Sequence, residues 1–551
     1  MKSKVKRALS LFLAASMVFS MSACGGTSSE TKAESKDTAA TTAAAGETTA
    51  PSGEVAATKQ INIEINGDPN TLAPYASSNN PRNRTIIYTI YEPLFHRLKF
   101  GGELTPCVGK SWKQIDATTY EVEIYDYVKD SAGNPITADD VVFSYQTAID
   151  SGTQTGYVGS VTEIKKTGDY TVQLSLASEQ VGVFSDSVNF VPIISKAAWD
   201  ASPDEMIANP VGTGPYVLDS WTAGSSLTLV KNENYWQDSA VSGERQAVDK
   251  VVFKEITEAA QITVALETGD VDFAYDVQSS DLFHFKEGGD DEGFTTYQFL
   301  NILMQCIFFN CDESSVCADP KVRQAICYAI DNQAILSNIF NGEGELSTTF
   351  SNSLYADYQD SWKNLDYYSY NVEKAKELLT EAGHPDGITI RLLTNSSADH
   401  KRIAEIIQAL LAEANIKVDI TNYEAALFNT YVSDPKEFDA YVTQKAAGGL
   451  SVLVWKLSMD ARMFNGVTKN FLKNDEFQKL LETALDAATN SPETVDAVRA
   501  WLDENVPIYA FCSGYKYYVH TDDLLTPCVS GETVFYPGMS EFADTWHRTV
   551  E

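Results

Sequence analysis

The sequence predicts a mixed α/β protein built from at least two lobes. The chain has 551 residues, which is more than a single hydrophobic core usually supports. Apolar residues make up 44% of it and aromatic residues 11%, proportions that are typical of a globular protein. Residues 388–394 and 416–420 have the pattern of strands, and residues 399–415 between them have that of a helix. This crossover predicts a parallel sheet flanked by helices.

The N-terminal segment has a different composition from the rest of the chain. Basic residues within 2–7 precede an apolar run too short to cross a bilayer comfortably, which is the pattern of a signal peptide. Ser22-Ala23-Cys24 resembles a bacterial lipobox, and this implies that residues 1–23 are removed and that Cys24 carries a diacylglycerol. A plain secretory signal with an incidental cysteine is the alternative. Residues 24–58 contain no aromatic residue and predict a flexible linker behind the lipid anchor.

Charge and cysteine content exclude some classes of function. The formal net charge of −35 argues against binding to nucleic acid, which requires basic surfaces. Eight cysteines leave seven after lipidation, and no CxxC pair indicates a zinc site, so the sequence predicts no metal and no cofactor. Cys512 and Cys528 flank a predicted hairpin and can form a disulfide across it. Most other cysteines, Cys327 among them, are predicted to be buried free thiols.

In chain order, the first half of the predicted fold alternates strands with helices. Residues 61–65, 120–124 and 170–176 alternate apolar and polar side chains, as strands with one buried face do. Thr137 is a good N-cap for a helix that begins beside it.

A segment rich in proline and glycine lies at the centre of this first half. Gly212 and Gly214 are predicted to adopt positive φ angles in a tight turn. The apolar runs 216–218 and 227–230 then predict a β-hairpin. A nucleotide-binding glycine loop is excluded because no third glycine follows and Pro215 removes an amide donor.

The second half has clear helix signals. Residues 257–268 and 371–383 each predict a helix, and the second begins at an asparagine cap. Asp319 is predicted to cap a long helix that begins at Pro320 and ends before Gly342.

Four motifs in a fixed order carry a family resemblance. They are DDVVFSY at 139–145, PVGTGPY at 210–216, VRQAICYAID at 322–331 and YNVEKAKELLTEAG at 370–383. Together they resemble the extracellular solute-binding proteins of the oligopeptide, dipeptide and nickel group (family 5), which deliver ligands to ABC importers. The resemblance extends from about Asn66 to Pro507, and it implies that residues 86–95 form the first helix.

The resemblance implies a particular fold and domain organisation. The expected fold is the two-lobed periplasmic-binding-protein fold, type II with an extra inserted subdomain, with a hinge between the lobes and the ligand in the cleft. The resemblance places lobe I at residues 59–95, 209–298 and 516–551, the inserted subdomain at 96–208, and lobe II at 299–515.

It also implies a function without catalysis. The expected protein is a monomeric lipoprotein on the outer face of a bacterial cell membrane. It captures a peptide-like or other small polar solute and delivers it to the ABC permease subunits. The six histidines are scattered, and the sequence has no HExxH, GxSxG or phosphate-loop motif, which argues against an enzyme. A surface hydrolase, and a sensing or adhesive protein on the same fold, are the alternatives.

Ligand-binding residues are inferred from the resemblance by position. Peptide-binding members often pair the ligand's α-amino group with an aspartate that follows a Phe-Asp strand. Here residues 438–443 resemble that strand, Gly448 stands at the aspartate position, and Asp460 is the next acid. The predicted contacts are Asn79, Gln305, Phe308, Gln444, Lys445, Ala446 and Trp455.

Each of these side chains is either a ligand contact or a core or loop residue, and Trp455 in particular is either a stacking platform or core. Lys445 favours a ligand that carries a carboxylate or another strong hydrogen-bond acceptor. The alternative is that Lys445 faces solvent and Asp460 pairs with a ligand amine.

Overall fold

The computed structural model describes most of the chain beyond the predicted linker. The described residues are 60–75, 81–97, 103–237, 246, 248–275, 277–278, 280–285, 293–446, 449–461, 470–525 and 547–548, all within one compact unit, Ala57–Glu551. The predicted signal peptide and linker, with Cys24, lie outside the described residues, as do Asn79, Gly448 and Cys528. Within the described part of the chain, no helix is long and apolar enough to cross a membrane.

The described β-strands, in chain order, are β1 (Gln60–Ile65), β2 (Phe95–Arg97), β3 (Leu104–Pro106), β4 (Gly109–Gln114), β5 (Thr119–Ile124), β6 (Val161–Gly168), β7 (Thr171–Leu176), β8 (Tyr216–Thr222), β9 (Ser226–Lys231), β10 (Lys250–Glu255), β11 (Phe273–Ala274), β12 (Phe294–Leu300), β13 (Met304–Phe309), β14 (Gly344–Leu346), β15 (Ile388–Asn395), β16 (Ile416–Tyr423), β17 (Ala440–Lys445), β18 (Ile508–Thr521), β19 (Leu524–Leu525) and β20 (His547–Arg548).

The described α-helices are α1 (Pro81–Ile90), α2 (Ala138–Ser151), α3 (Thr155–Val158), α4 (Val183–Phe190), α5 (Lys196–Ala201), α6 (Ala259–Glu267), α7 (Pro320–Tyr328), α8 (Asn332–Phe340), α9 (Val372–Glu381), α10 (Ala398–Glu413), α11 (Ala425–Tyr431), α12 (Ser451–Met459), α13 (Asp475–Leu485) and α14 (Pro492–Asn505). Short 3₁₀ turns occur at Val316–Ala318 and Asp360–Asn364.

Twelve strands form one large sheet in the order β16-β15-β17-β13-β18-β11-β1-β10-β9-β8, with β12 and β14 also paired to β18. Strand β15 runs parallel to β16, and α10 connects the two. Apolar side chains of α10, such as Ile403 and Ile407, are wholly buried. This is the crossover that the sequence predicts, and the structure confirms it.

The long strand β18 divides the sheet into two halves. Its first part pairs with β13, with Gln305 opposite Cys512, and its second part pairs with β12, with Leu300 opposite Tyr515. Only residues 301–303 separate β12 from β13, so the chain crosses between the halves twice at neighbouring positions. We call the part with β1, β8–β12 and residues 515–521 the β1 half, and the part with β13–β17 and residues 508–514 the β13 half.

Each half has its own hydrophobic core. The core of the β1 half includes Ile63, Phe253 and Tyr518, and it extends into the segment between residues 104 and 199. The core of the β13 half contains one cluster around Ile307 and Tyr509 on one face and another around Phe308 and Trp455. Separate cores make the halves two lobes joined by adjacent strands.

Between the first helix and the central proline- and glycine-rich segment lies a small subdomain. Its four-stranded antiparallel sheet has the order β4-β5-β7-β6, and α2 packs against β6 and β7. Thr137 caps α2 as predicted: its side chain and that of Asp140 satisfy each other's backbone amides in a capping box.

Gly212 and Gly214 differ from the prediction in their role. Neither is among the glycines with positive φ. Instead, a Cβ atom at Gly212 would lie 2.1 Å from the carbonyl oxygen of Ile90, and one at Gly214 would lie 2.6 Å from the same oxygen. The Gly214 amide donates to that oxygen at 2.8 Å. The glycines are therefore needed for close approach of two backbones, and the positive-φ prediction was wrong.

Two predicted helices also have different bounds. The first helix ends at Ile90 and not at residue 95, because the Ile90 carbonyl accepts from Gly214 and the chain then turns into β2. The long helix predicted from Pro320 is two helices, α7 and α8. The carboxylate of Asp331 accepts from the amides of Gln333 and Ala334, which starts a new helix in place of continuing the first.

The described cysteines form no disulfide with one another. Cys327 is buried, as predicted, and burial raises the pKa of its thiol well above the usual value. Cys512 is also a buried thiol on β18, and Cys528, its suggested disulfide partner, lies outside the described residues. Burial raises the Cys512 pKa to about 12, which keeps the thiol protonated and unreactive at neutral pH.

Candidate functional site

Polar side chains collect where the chain crosses between the two lobes. Gln305 is the central residue of this group. It lies on β13, opposite Gln444 of β17 on one side and Cys512 of β18 on the other. Its amide nitrogen donates to Gln444 Oε1 at 3.3 Å. Only 4% of Gln305 is exposed, and its Oε1 accepts no hydrogen bond from the described residues. A buried amide oxygen without a donor is costly, so this atom is suited to accept a hydrogen bond from a bound molecule.

Asn352 joins the crossing strands to a neighbouring loop. Its side-chain nitrogen donates to the Asn301 carbonyl and to Ser513 Oγ, each at 3.1 Å. Asn301 lies between β12 and β13, and Ser513 lies on β18, so one amide contacts both crossings. These hydrogen bonds fix the loop relative to the strands that cross between the two lobes.

The same loop holds the N-terminus of α12. Asp357 accepts from the backbone amides of Ser451 at 2.6 Å and Val452 at 3.1 Å, and Ser351 Oγ lies 2.6 Å from Ser451 Oγ. Burial raises the pKa of the Asp357 carboxyl, and the bonds from Ser451 and Val452 oppose that shift. Asp357 therefore already serves as a helix cap.

Lys445 and Phe308 lie on neighbouring strands of this site. The Lys445 ammonium is 5.6 Å from the centroid of the Phe308 ring, within range of a cation–π interaction. Phe308 is wholly buried and stacks on Tyr441, with ring centroids 5.0 Å apart. Lys445 is half-buried, and Ala446 beside it is half-buried as well. Phe308 thus supports Lys445 from within the core.

Trp455 is buried in the core of the β13 half. Its side chain is 0% exposed, and its indole nitrogen donates to the Phe350 carbonyl at 2.7 Å. Asp460 is buried at the C-terminal end of α12, about 13 Å along the helix axis from the end that follows residue 450.

The small subdomain reaches the β13 half through residues 179–182, which we call the clamp. Val181 donates to the Leu485 carbonyl at 3.0 Å, and Ala487 donates to the Glu179 carbonyl at 3.1 Å. These bonds form an antiparallel bridge between Gln180 and Asp486.

Side chains reinforce the clamp. Lys456 of α12 donates to Gln180 Oε1 at 2.6 Å, and Val181 packs against the core that contains Trp455. Gly182 adopts a φ of +78°, and a Cβ atom there would lie 2.9 Å from Leu453 Cδ1. Absence of a side chain at this residue allows the subdomain and α12 to meet.

A family model covers most of this structure. The model of bacterial extracellular solute-binding proteins, family 5, matches residues 103–452, well over half of the chain. The chain belongs to this family. The matched residues include the small subdomain, β13, β17 and the loop around Asn352. The polar site of this solute-binding protein therefore lies almost entirely within the residues that the family model matches.

Individual relatives agree with the family assignment. The chain is 27% identical over 411 residues to the oligopeptide-binding protein AppA of Bacillus subtilis, an alignment that covers 68% of this chain and 72% of AppA. It is also 27% identical to the heme-binding protein A of Haemophilus influenzae over 61% of this chain and 65% of that protein, just under two thirds of its length.

Solved structures share the fold. The structure of AgaA from A. tumefaciens R10 in complex with agropinic acid superposes with a TM-score of 0.71 at 23% identity and covers 89% of this chain and 99% of AgaA. The two-lobed periplasmic-binding-protein fold expected from the sequence is therefore confirmed.

Sequence reasoning found two neighbouring strands of the site, β13 and β17, and missed the rest. Gln305, Gln444 and Lys445 do lie together, although contact with a ligand stays a prediction for all seven selected residues. Asn352 and Ser513 were missed, because 161 residues separate them and neither lies in a recognisable motif. The clamp was also missed, for the same reason.

Proposed function

We propose that this solute-binding protein is the ligand-capturing lipoprotein of an ABC importer. The observation that carries the proposal is the pair of adjacent lobe crossings bordered by buried polar groups, in a chain of this family. Ligand bound between the lobes stabilises the closed arrangement by its higher affinity for closed than for open protein. The protein then presents the solute to the permease and performs no covalent chemistry on it.

We propose the lobe boundaries that were expected from the sequence, and the partner change along β18 lies within a few residues of them. Lobe I comprises residues 59–95, 209–298 and 516–551, the inserted subdomain comprises 96–208, and lobe II comprises 299–515. The proposal is supported by the pairing along β18, where β12 lies beside residues 515–521 and β13 lies beside residues 508–512. Cys24 anchors the whole to the outer face of the membrane.

The ligand we propose is a small polar or peptide-like solute that carries a carboxylate or another strong acceptor. Lys445 supplies a cation, and the Gln305 and Gln444 amides supply neutral hydrogen-bonding groups. The nearby carboxylate of Asp357 is occupied as a helix cap. A free ammonium without a carboxylate partner is costly to bury, which disfavours an ordinary peptide N-terminus.

Mass spectrometry of the ligand that co-purifies tests the proposal first. A thermal-shift panel then pairs short peptides with their N-acetylated forms, since ligand at about 100 times its dissociation constant stabilises the fold by about 2.7 kcal/mol. We expect acetylation to leave the stabilisation intact. Strong stabilisation by free peptides alone would contradict the ligand class.

Variants of Lys445 sharpen the test. We expect Lys445→Met to weaken binding of the identified ligand about tenfold or more, because a hydrogen bond to a charged group contributes about 1.5–3 kcal/mol. Lys417→Met is the matched control, since Lys417 is exposed on β16 and pairs with Asp419. Equal ligand affinities of the two variants would show that Lys445 does not contact the ligand. Chemical conversion of the ligand would establish an enzyme.

A further inference from the structure

Three metal-ligating side chains of different types meet inside the protein, outside the candidate cleft. Glu92 follows α1, His96 lies on β2, and Cys107 follows β3. Their ligand atoms all lie within 4.8 Å of one another. Exposure is 1% for Glu92, 2% for His96 and 0% for Cys107. We propose that these three side chains form a site for a divalent transition-metal ion of the zinc class.

The backbone holds two of the ligands on one small hairpin. Strands β2 and β3 pair with His96 opposite Thr105, and Thr105 Oγ1 donates to the His96 carbonyl at 3.2 Å. The Cys107 amide donates to the Leu94 carbonyl at 3.2 Å. Because these bonds fix the main chain on both sides, the imidazole and the thiol are brought together by the fold before any ion is present.

Glu92 is held by outer hydrogen bonds of the kind that orient metal ligands. Tyr235 Oη donates to one carboxylate oxygen at 2.6 Å, and Trp236 Nε1 donates to the other at 2.7 Å. The Glu92 amide donates to Thr213 Oγ1 at 3.1 Å. Each carboxylate oxygen has more than one lone pair, so both donors can remain in place while one oxygen binds an ion.

The donor set selects the class of metal. A thiolate and an imidazole favour zinc-like ions, whereas calcium and magnesium prefer an all-oxygen shell. Ligand atoms around tetrahedral zinc lie roughly 3.3–3.8 Å apart, as bond lengths of about 2.0–2.3 Å require. The 4.8 Å limit includes that arrangement. A water molecule or a backbone oxygen would be the fourth ligand.

Charge balance also favours a divalent cation. Binding displaces the thiol proton of Cys107 to solvent, so a thiolate, a carboxylate and a neutral imidazole surround the ion. Two negative charges then neutralise two positive ones in a site without solvent access. The competing arrangement keeps the protons, with the three side chains joined through hydrogen bonds.

Cobalt refolding distinguishes the two arrangements. Full-length protein is unfolded in denaturant with a chelator, transferred to metal-free buffer, and refolded with one equivalent of Co²⁺, because a buried site loads as the chain folds. We expect one cobalt ion per chain, a thiolate-to-cobalt absorption band, and no such band when excess Zn²⁺ is present during refolding.

Two variants locate the ion. Cys107→Ser should abolish the band, whereas Cys327→Ser should retain it, since Cys327 is an equally buried free thiol on α7. Glu92→Gln keeps the side-chain shape, and we expect it to retain the band but to weaken cobalt binding at least tenfold. Glu92→Gln still tests the site if Cys107→Ser does not refold. No band in the wild-type protein, a band of equal strength in Cys107→Ser, or unchanged affinity in Glu92→Gln would overturn the site.

Discussion

The clamp offers a direct test of how the lobes close. The perturbation is Lys456→Met, which removes the ammonium that donates to Gln180 Oε1 at 2.6 Å and keeps most of the apolar stem. Gln180 belongs to the subdomain and Lys456 to α12, so this bond joins the two lobes. A change here alters closure without touching the polar site around Gln305.

The expected magnitude follows from the burial of the pair. A hydrogen bond to a charged group contributes about 1.5–3 kcal/mol, and a partly exposed ammonium keeps some of its hydration. We therefore expect a loss of about 1–1.5 kcal/mol from the closed state. Because 1.4 kcal/mol is a factor of about ten in an equilibrium constant, ligand affinity should fall roughly five- to tenfold.

Calorimetric titration with the ligand identified by mass spectrometry measures this effect. A double-mutant cycle with Gln180→Ala isolates the bond, because Lys456 also has other contacts. Lys417→Met controls for the loss of one positive charge. Small-angle scattering of the ligand-bound variant should show a more expanded average particle. Unchanged affinity together with a coupling energy near zero would refute the role of the clamp in closure.

Three further predictions concern the anchor, the second lobe and the core. Cys24→Ala should move the protein from the membrane fraction to the soluble one, and retention in the membrane fraction would contradict lipidation. Asp439→Asn should lower the free energy of unfolding by about 2 kcal/mol at neutral pH in urea titrations, because Asp439 accepts from Ser315 Oγ and Arg391 Nε, both at 2.9 Å. Burial opposes ionisation of Asp439, but the bonds from Arg391 and Ser315 hold its pKa below the usual value. Its contribution to stability is therefore present above the ordinary carboxyl pKa and is lost as the pH falls through the lowered one, a dependence that Asp439→Asn should remove. Trp455→Phe should destabilise the fold by about 1–3 kcal/mol, since it leaves the Phe350 carbonyl without its donor, and should change ligand affinity less than twofold; a large loss of affinity without a loss of stability would restore Trp455 as a ligand contact.

Local patterns in the sequence determined most of the secondary structure. The crossover from β15 through α10 to β16 was predictable because alternation and helical spacing depend on neighbours along the chain. Caps were predictable for the same reason: Thr137 and Asn371 bond to amides within three residues of themselves. The family and the fold followed from several such motifs in order.

Tertiary structure alone decided what the distant residues do. The absence of a Cβ atom at Gly212 and Gly214 matters because the Ile90 backbone passes beside them, more than 120 residues earlier in the chain. Trp455 became a core residue because the Phe350 carbonyl lies next to it, which no local pattern records. The sequence predicted no metal site because it has no zinc spacing, yet the β2–β3 hairpin places His96 and Cys107 together and α1 brings in Glu92. Such contacts form only when the whole chain folds and loses conformational entropy, and packing across the lobe fixes them. Sequence patterns depend on interactions between neighbours along the chain, so they do not record these contacts.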